Sequence, residues 1–197
     1  MNNDVWQDGR WREARQAYSP NFEARPDGEE VCLAVIHNIS LPPFVYGTDA
    51  VERLFTNTVD EQVHPFFSII SGLRVSSHFF ITREGTAVQF VSCNDMAYHA
   101  GVSSFSGREG CNRFSVGIEL EGCDFEPFAA GQYETLHRLL RALHGRYPIR
   151  AVCGHRHIAP DRKTDPGHFF DWEKLGGWGF RVAPDDVSGR PAGVFRL

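Results

Sequence analysis

Val31-Cys32-Leu33-Ala34-Val35-Ile36 is the stretch that decides the fold, and His37 follows it directly. An unbroken apolar run of this length, enriched in β-branched residues, is typical of a strand that is covered on both faces of a sheet. We therefore expect a buried strand over 31–36, with the imidazole of His37 at its end.

Strands and helices are predicted on both sides of this run. Alternating apolar residues over 113–121 predict a half-buried strand with Glu119 and Glu121 on its other face. A leucine stripe predicts a helix over 132–147. The remaining elements are a short helix and an extended lead-in over 1–30, a helix over 49–55, a long loop over 56–72, a hairpin of 75–82 with 86–91, a strand over 151–153 and a short helix after 172. This order favours an α/β (mixed α+β) fold, with a central mixed β-sheet flanked by helices.

Length and composition indicate one globular domain. The chain has 197 residues, of which 42% are hydrophobic and 23% are charged. We place the domain at 1–184 and a C-terminal tail, rich in Pro and Gly, at 185–197. The net charge of −5 without a basic block argues against nucleic acid as a partner. No apolar run approaches the roughly 18 residues that span a bilayer, so no membrane association is expected.

The cysteines and the first ten residues bear on the compartment. Five cysteines at wide spacings, without a C-x-x-C pair, are expected to be reduced thiols. The stretch 1–10 has no apolar core of the kind found in a signal peptide. Both features predict a cytoplasmic protein.

The segment 154–167, GHRHIAPDRKTDPG, carries the densest group of reactive side chains. Its prolines and glycines predict a fixed surface loop, which is where sites are commonly built. Lys163 is one of only two lysines, whereas the chain has 18 arginines. Its compact ammonium group is not chemically equivalent to the guanidinium group that supplies most of the positive charge.

Three candidate metal ligands lie at or near strand ends: His37, His155 and Asp165. Two neutral imidazoles and one carboxylate form a common donor set for catalytic zinc, with water in the open fourth position. Their spacing is not the helical H-E-x-x-H, and an isolated histidine is more often a surface or hydrogen-bonded core residue. His157 adds a competing imidazole close to His155.

Two further residues suit amide hydrolysis at such a metal. Glu119 is a fitting general base on the polar face of its strand, and Lys163 is a fitting stabiliser of a carbonyl oxyanion. Taken alone, Glu119 is more simply explained as a solvated strand carboxylate and Lys163 as a member of a surface ion pair.

A family resemblance joins these residues. Four segments match in order: 35–43 (VIHNISLPP), 99–104 (HAGVSS), 115–122 (SVGIELEG) and 154–167. From about Trp6 to Trp172 the chain is similar to the cytosolic 1,6-anhydro-N-acetylmuramyl-L-alanine amidases, which form part of the zinc amidase and peptidoglycan-recognition-protein family.

The resemblance implies a fold, a cofactor and a set of site residues. The fold is a mixed central sheet flanked by helices, with one Zn²⁺ per chain at its edge. The ligands are His37, His155 and Asp165, Glu119 is the acid/base, and Lys163 is a second catalytic group. Asn38 and Arg74 hold the peptide part of a small-molecule muropeptide, while Tyr98 and His99 line the site near the sugar. No obligate protein partner is implied.

Two alternative functions stay open at this point, together with one hypothesis about motion. A non-catalytic muropeptide-binding protein is the first alternative, although such relatives as a rule lack a complete zinc set. An amidase that acts on intact cell wall is the second, and the lack of a signal-peptide pattern argues against it. The weakly patterned segment 41–73 is a candidate lid over the site.

Overall fold

The apolar run after Val31 forms a central strand of an eight-stranded mixed sheet in a computed structural model that describes residues 5–176, 181–182 and 195–196. The strands are β1 Trp6–Gln7, β2 Arg10–Trp11, β3 Arg15–Gln16, β4 Phe22–Ala24, β5 Leu33–Ile39, β6 Phe79–Ile81, β7 Ala87–Gln89, β8 Asp95–Ala97, β9 Ser104–Phe105, β10 Arg108–Glu109, β11 Ser115–Glu121, β12 Ala151–Gly154, β13 Arg181–Val182 and β14 Phe195–Arg196. The helices are α1 Ala50–Phe55, α2 Phe67–Ile70, α3 Ala130–Arg146, α4 His155–Ile158 and α5 Glu173–Gly176, with a 3-10 turn at Cys111–Phe114.

The order and register of the sheet bring three strand ends to one edge. The strands lie in the order β13-β14-β12-β5-β11-β6-β7-β3. β5 runs parallel to β12 and to β11, so that Gly154 is paired with Ile36 and Glu119 with His37. Because parallel strands end at the same edge, the residues that follow β5, β11 and β12 lie close together.

The two faces of the sheet have different coverings. Ala34 and Ile36 pack in one hydrophobic cluster with the leucines of α3, whereas Leu33 and Val35 pack in another that includes Ile158. Successive side chains of a strand alternate between faces. His37 therefore lies on the face opposite α3, and the residue paired with it on β11, Glu119, lies there too.

The main predicted elements are confirmed. The apolar run is β5, the hairpin is β6 with β7, and the predicted helices over 49–55, 132–147 and after 172 are α1, α3 and α5. The fold class, a mixed central sheet flanked by helices, is confirmed as well. The five cysteines are free thiols, four of them buried.

The predictions for 1–30 and 56–72 are wrong in part. No helix forms within 5–30, where Trp6 pairs with Trp11 in the β1–β2 hairpin and both indoles join the main core. Burial of two large aromatic groups outweighs the weak helical preference of that segment. Within 56–72, α2 buries Phe67 and Ile70 against a second cluster because residues three apart share one helical face.

The half-buried strand over 113–121 is also a wrong prediction, since every residue of β11 is buried. β11 has a parallel neighbour on each side, and both sheet faces are covered around it. The carboxylate of Glu121 accepts the backbone N–H groups of Gly47, at 2.5 Å, and of Arg83, at 2.9 Å. This side chain thus fixes the loop after β5 and the turn after β6.

The C-terminal segment is described only in part. Phe195–Arg196, inside the predicted tail, forms β14 and pairs with β12, while residues 183–194 lie outside the described part. The boundary between domain and tail stays a prediction. Among the described helices, none has both the length and the apolar character that crossing a membrane requires.

Glu121→Ala tests whether this carboxylate holds the loop after β5 and the turn after β6 in place. We expect it to lower the free energy of unfolding by about 2 kcal/mol, because two backbone donors lose their only charged acceptor. The surface variant Glu13→Ala, which removes an exposed ion pair with Arg138, is the control and should cost less than about 1 kcal/mol. Urea unfolding measures both values, and equal costs for the two variants would contradict the role given to Glu121.

Candidate metal and catalytic site

Three ligand-type atoms converge at the sheet edge. The Nδ1 atoms of His37 and His155 lie 3.0 Å apart, and Oδ2 of Asp165 lies 2.9 Å from the first and 3.1 Å from the second. Zinc–ligand bonds of about 2.0–2.1 Å in a tetrahedron place neighbouring donors roughly 3.3 Å apart. The observed triangle is therefore within a few tenths of an ångström of a metal-binding one.

The strands and turns of the fold position each of the three groups. His37 belongs to β5, His155 opens α4 immediately after β12, and Asp165 lies ten residues further in the same segment. Only 1% of the surface of His37 and 3% of that of His155 is exposed. The predicted surface loop is thus wrong for 155–158, which forms a helical turn directly on the buried strand end.

A hydrogen bond at Nε2 of His155 determines whether Nδ1 of the same ring carries a proton. Its Nε2 lies 3.1 Å from the carbonyl oxygen of Ala100. A carbonyl oxygen only accepts, so this nitrogen carries the proton. In the neutral ring, Nδ1 is then an unprotonated lone pair that faces the carboxylate of Asp165.

A chain of hydrogen bonds fixes His37 in the same tautomer. The Ser115 hydroxyl donates to the carbonyl of Cys111 at 2.6 Å, so its oxygen accepts from Nε2 of His99 at 3.1 Å. His99 Nδ1 is then an acceptor, and it receives the Nε2–H of His37 at 2.9 Å. Nδ1 of His37 is left unprotonated and points into the triangle.

The triangle is therefore suited to a cation. Burial lowers the pKa of His37 to about 4, which keeps its ring neutral. Two lone pairs and one ionised carboxylate oxygen about 3 Å apart repel one another unless a positive ion lies between them. The donor set of two imidazoles and one carboxylate fits a divalent transition metal.

Glu119 lies beside the triangle as a buried group without a partner. Its Oε2 has no hydrogen-bond partner among the described residues. Burial raises the pKa of Glu119 well above its usual value, the negative charge of Asp165 adds to this, and Lys163 acts in the opposite direction. A carboxyl group with a raised pKa is suited to take up and release a proton near neutral pH.

One pocket of ≈ 600 Å³ holds the triangle together with most of the other predicted site residues. Glu119, Lys163, Asn38, Tyr98 and His99 all line it. Lys163 is half-buried, and its ammonium forms no ion pair within residues 5–176. The predicted site residues other than Arg74 are thus brought together around the three ligand atoms.

Other contacts in and near the pocket refine the remaining predictions. Asn38 donates to Oδ1 of Asp124 at 2.7 Å, and the Tyr98 hydroxyl donates to Glu23 at 2.8 Å. Arg74 is exposed, and of the described residues in that stretch it is Leu73 and Val75 that line the pocket. The substrate-binding roles of these residues stay predictions.

His157 does not compete for the metal. Its Nδ1 accepts the backbone N–H of Gly154 at 2.8 Å, which closes the turn that begins at His155. The sequence reasoning missed this role, and it also missed Ser115 and Ala100 as partners of the ligand histidines. No sequence signal marks a serine or an alanine carbonyl for such a role, since both act through tertiary contacts.

A pocket with a possible metal-binding triangle beside a buried carboxyl group is an arrangement typical of metal-dependent hydrolases. The sequence model of the N-acetylmuramoyl-L-alanine amidase family matches residues 27–168. The chain belongs to this family, and the resemblance inferred from the four segments is confirmed.

Individual relatives agree with this assignment. The chain is 51% identical over 165 residues to 1,6-anhydro-N-acetylmuramyl-L-alanine amidase AmpD of Salmonella typhimurium (strain SL1344), a match that covers 83% of this chain and 88% of the relative. The crystal structure of a selenomethionine AmpD derivative superposes with a TM-score of 0.84 at 47% identity, covering 87% of this chain and 97% of that one.

A more distant solved structure carries a muropeptide. The amidase AmiD from E. coli, in complex with the substrate anhydro-N-acetylmuramic acid-L-Ala-D-γ-Glu-L-Lys, superposes with a TM-score of 0.59 at 27% identity. The match covers 92% of this chain and 68% of that one.

His99→Ala tests the hydrogen-bond chain behind the metal ligands. We expect metal affinity to fall about 10- to 100-fold, because His37 loses the acceptor that fixes its tautomer. The affinity is measured by competition with a chromophoric chelator. His144→Ala, at an exposed histidine of α3, is the matched control and should bind like the wild type. Unchanged affinity in His99→Ala would contradict the assigned tautomer.

Proposed function

We propose that the chain is a zinc amidase that cleaves the bond between the lactyl group of 1,6-anhydro-N-acetylmuramic acid and the L-alanine of a muropeptide. The observation that carries the proposal is the convergence of three ligand-type atoms in one pocket with Glu119, whose Oε2 has no hydrogen-bond partner among the described residues. The identity of 51% to an amidase of this printed activity supports the substrate.

The proposed roles follow from the positions of the groups. His37, His155 and Asp165 hold one zinc ion per chain. When bound, zinc lowers the pKa of a water molecule to about 7 and polarises a carbonyl group. Glu119 takes a proton from the attacking water through its unpaired oxygen and delivers it to the leaving amide nitrogen. The carbonyl carbon gains the water oxygen and loses that nitrogen, so the products are a free carboxylate and a free amine.

The charges and side chains around the metal complete the proposal. Lys163 lines the pocket, and among the described residues its ammonium has no ion-pair partner, so it is available to a carbonyl oxygen that gains negative charge. Asn38 and Arg74 are assigned to the peptide part of the substrate, and Tyr98 and His99 to the neighbourhood of the sugar. His99 supports His37 at the same time, through the bond between their rings.

We propose that the protein works in the cytoplasm, in the recycling of peptidoglycan fragments. Five free thiols, four of them buried, suit a reducing compartment. The substrate is a small soluble muropeptide, and the proposal includes no nucleic acid, membrane or obligate protein partner.

Glu119→Gln tests the proton shuttle. The near-isosteric amide cannot accept the proton, so we expect turnover to fall about 10²- to 10⁴-fold while zinc stays bound. The assay is mass analysis of the products formed from anhydro-N-acetylmuramic acid-L-Ala-D-γ-Glu-L-Lys. Glu109→Gln, at an exposed glutamate, is the control. Wild-type turnover in Glu119→Gln would sink the assignment.

Removal of the metal separates the proposed enzyme from its alternatives. A chelator should abolish product formation, and added zinc should restore it, because the proposed hydrolysis depends on the zinc held by the triangle. A non-catalytic binding protein would bind the muropeptide but release no product under either condition. An amidase of the intact wall would turn over insoluble peptidoglycan faster than the soluble fragment.

A further inference from the structure

The side chain of Asn112, in the 3-10 turn before β11, binds the segment that supports both histidine ligands. Its Oδ1 accepts the backbone N–H of His99 at 3.2 Å and that of Ala100 at 2.8 Å. The ring of His99 accepts from His37, and the carbonyl of Ala100 accepts from His155. One amide oxygen thus fixes the two adjacent residues on which both supports are built.

The same turn also fixes the far side of the His99 ring. Nε2 of His99 donates to the hydroxyl of Ser115 at 3.1 Å, and that hydroxyl donates to the carbonyl of Cys111 at 2.6 Å. Cys111 directly precedes Asn112 in the turn. The backbone of His99 and its outer ring nitrogen are therefore held together, which leaves Nδ1 facing His37.

The guanidinium group of Arg25 holds the turn from its other side. It donates to the carbonyl of Asn112 at 2.9 Å, to that of Arg113 at 2.7 Å and to that of Ser115 at 2.8 Å. Hydrogen bonds from an ionised donor are stronger than neutral ones. The main chain that carries the Asn112 side chain is thus fixed by a group that lies outside the metal triangle.

We propose that Asn112 is a positioning residue for the metal site, and that it keeps His37 and His155 in the tautomer that metal binding needs by fixing the backbone of residues 99–100. The inference rests on the proposed function for the metal itself, although the tautomers exist in the metal-free chain too. Loss of Oδ1 leaves two adjacent N–H groups without this acceptor, and the segment must move to satisfy them.

The two ligands should respond unequally to the loss of Asn112. The carbonyl that holds His155 also accepts from Nη2 of Arg162 at 3.0 Å, and this bond does not involve Asn112. His37 is held through the ring of His99, whose direction follows from the backbone that Asn112 fixes. We therefore expect the Nε2–H of His37 to be disturbed more than that of His155.

Asn112→Ala and Asn112→Asp test the proposal in two measurements. In the metal-free chain, NMR of the imidazole nitrogens should show the Nε2–H tautomer for His37 and His155 in the wild type, and a mixture at His37 in Asn112→Ala. Competition with a chromophoric chelator should show zinc affinity about tenfold lower in Asn112→Ala. Asn112→Asp keeps an acceptor oxygen, so it should restore the tautomer and an affinity within about threefold of the wild type.

Gln89→Ala is the matched control, because it removes another buried amide whose oxygen accepts a backbone N–H, that of Trp11 at 2.7 Å. It should lower the urea midpoint of unfolding, as Asn112→Ala does, but leave the histidine tautomers and zinc affinity unchanged. An unaltered His37 tautomer in Asn112→Ala, or a loss of affinity that Asn112→Asp or Gln89→Ala shares in full, would overturn the proposal. If the wild type retains no zinc, the proposed function fails, whereas the tautomers of the metal-free chain still decide the role of Asn112.

Discussion

The candidate site depends on three ligand-type atoms that the fold holds about 3 Å apart. His37, His155 and Asp165 direct two lone pairs and a carboxylate oxygen into a triangle with sides of about 3 Å. Without a cation, this arrangement is unfavourable, since buried charges and lone pairs need a partner of opposite sign. The two histidine ligands are held from behind by His99 and by the carbonyl of Ala100.

The supports come from the start of β11 and from the segment between β8 and β9. Ser115 starts β11 and anchors His99, which in turn holds the ring of His37 on the neighbouring strand. The carbonyl of Ala100 holds His155. Residues that lie beside one another on parallel strands and on their connecting segments therefore fix the tautomers, so the site is preorganised before any ligand binds.

Three residues of β11 contribute to different parts of the site. β11 carries Gly117, Glu119 and Glu121 on one face, and each one serves a different part of the site. Gly117 leaves room for the imidazole of His99, because a Cβ at that position would lie 2.5 Å from its Cγ. Within the described part of the chain, Oε2 of Glu119 is buried without a partner, a costly state that is explained if its partners are a water molecule and a leaving nitrogen. Glu121 is satisfied by backbone N–H groups and holds a loop.

Much of this could be predicted from the sequence, for identifiable physical reasons. The apolar run before His37 and the leucine stripe of α3 carry their periodicity in the sequence, and the three ligand types are recognisable by chemistry. The burial of Glu119 and Glu121 could not be read from alternation, because β11 is covered on both faces by elements distant in sequence. The roles of Ser115 and His157 depend on tertiary contacts for the same reason.

We propose that the triangle holds one metal ion through two imidazoles and one carboxylate. X-ray absorption on protein loaded with zinc, combined with elemental analysis, tests it most directly. We expect one zinc per chain, with nitrogen and oxygen donors at about 2.0–2.1 Å and no sulfur in the shell. Failure to retain zinc after dialysis, or a shell that contains thiolate sulfur at about 2.3 Å, would contradict it.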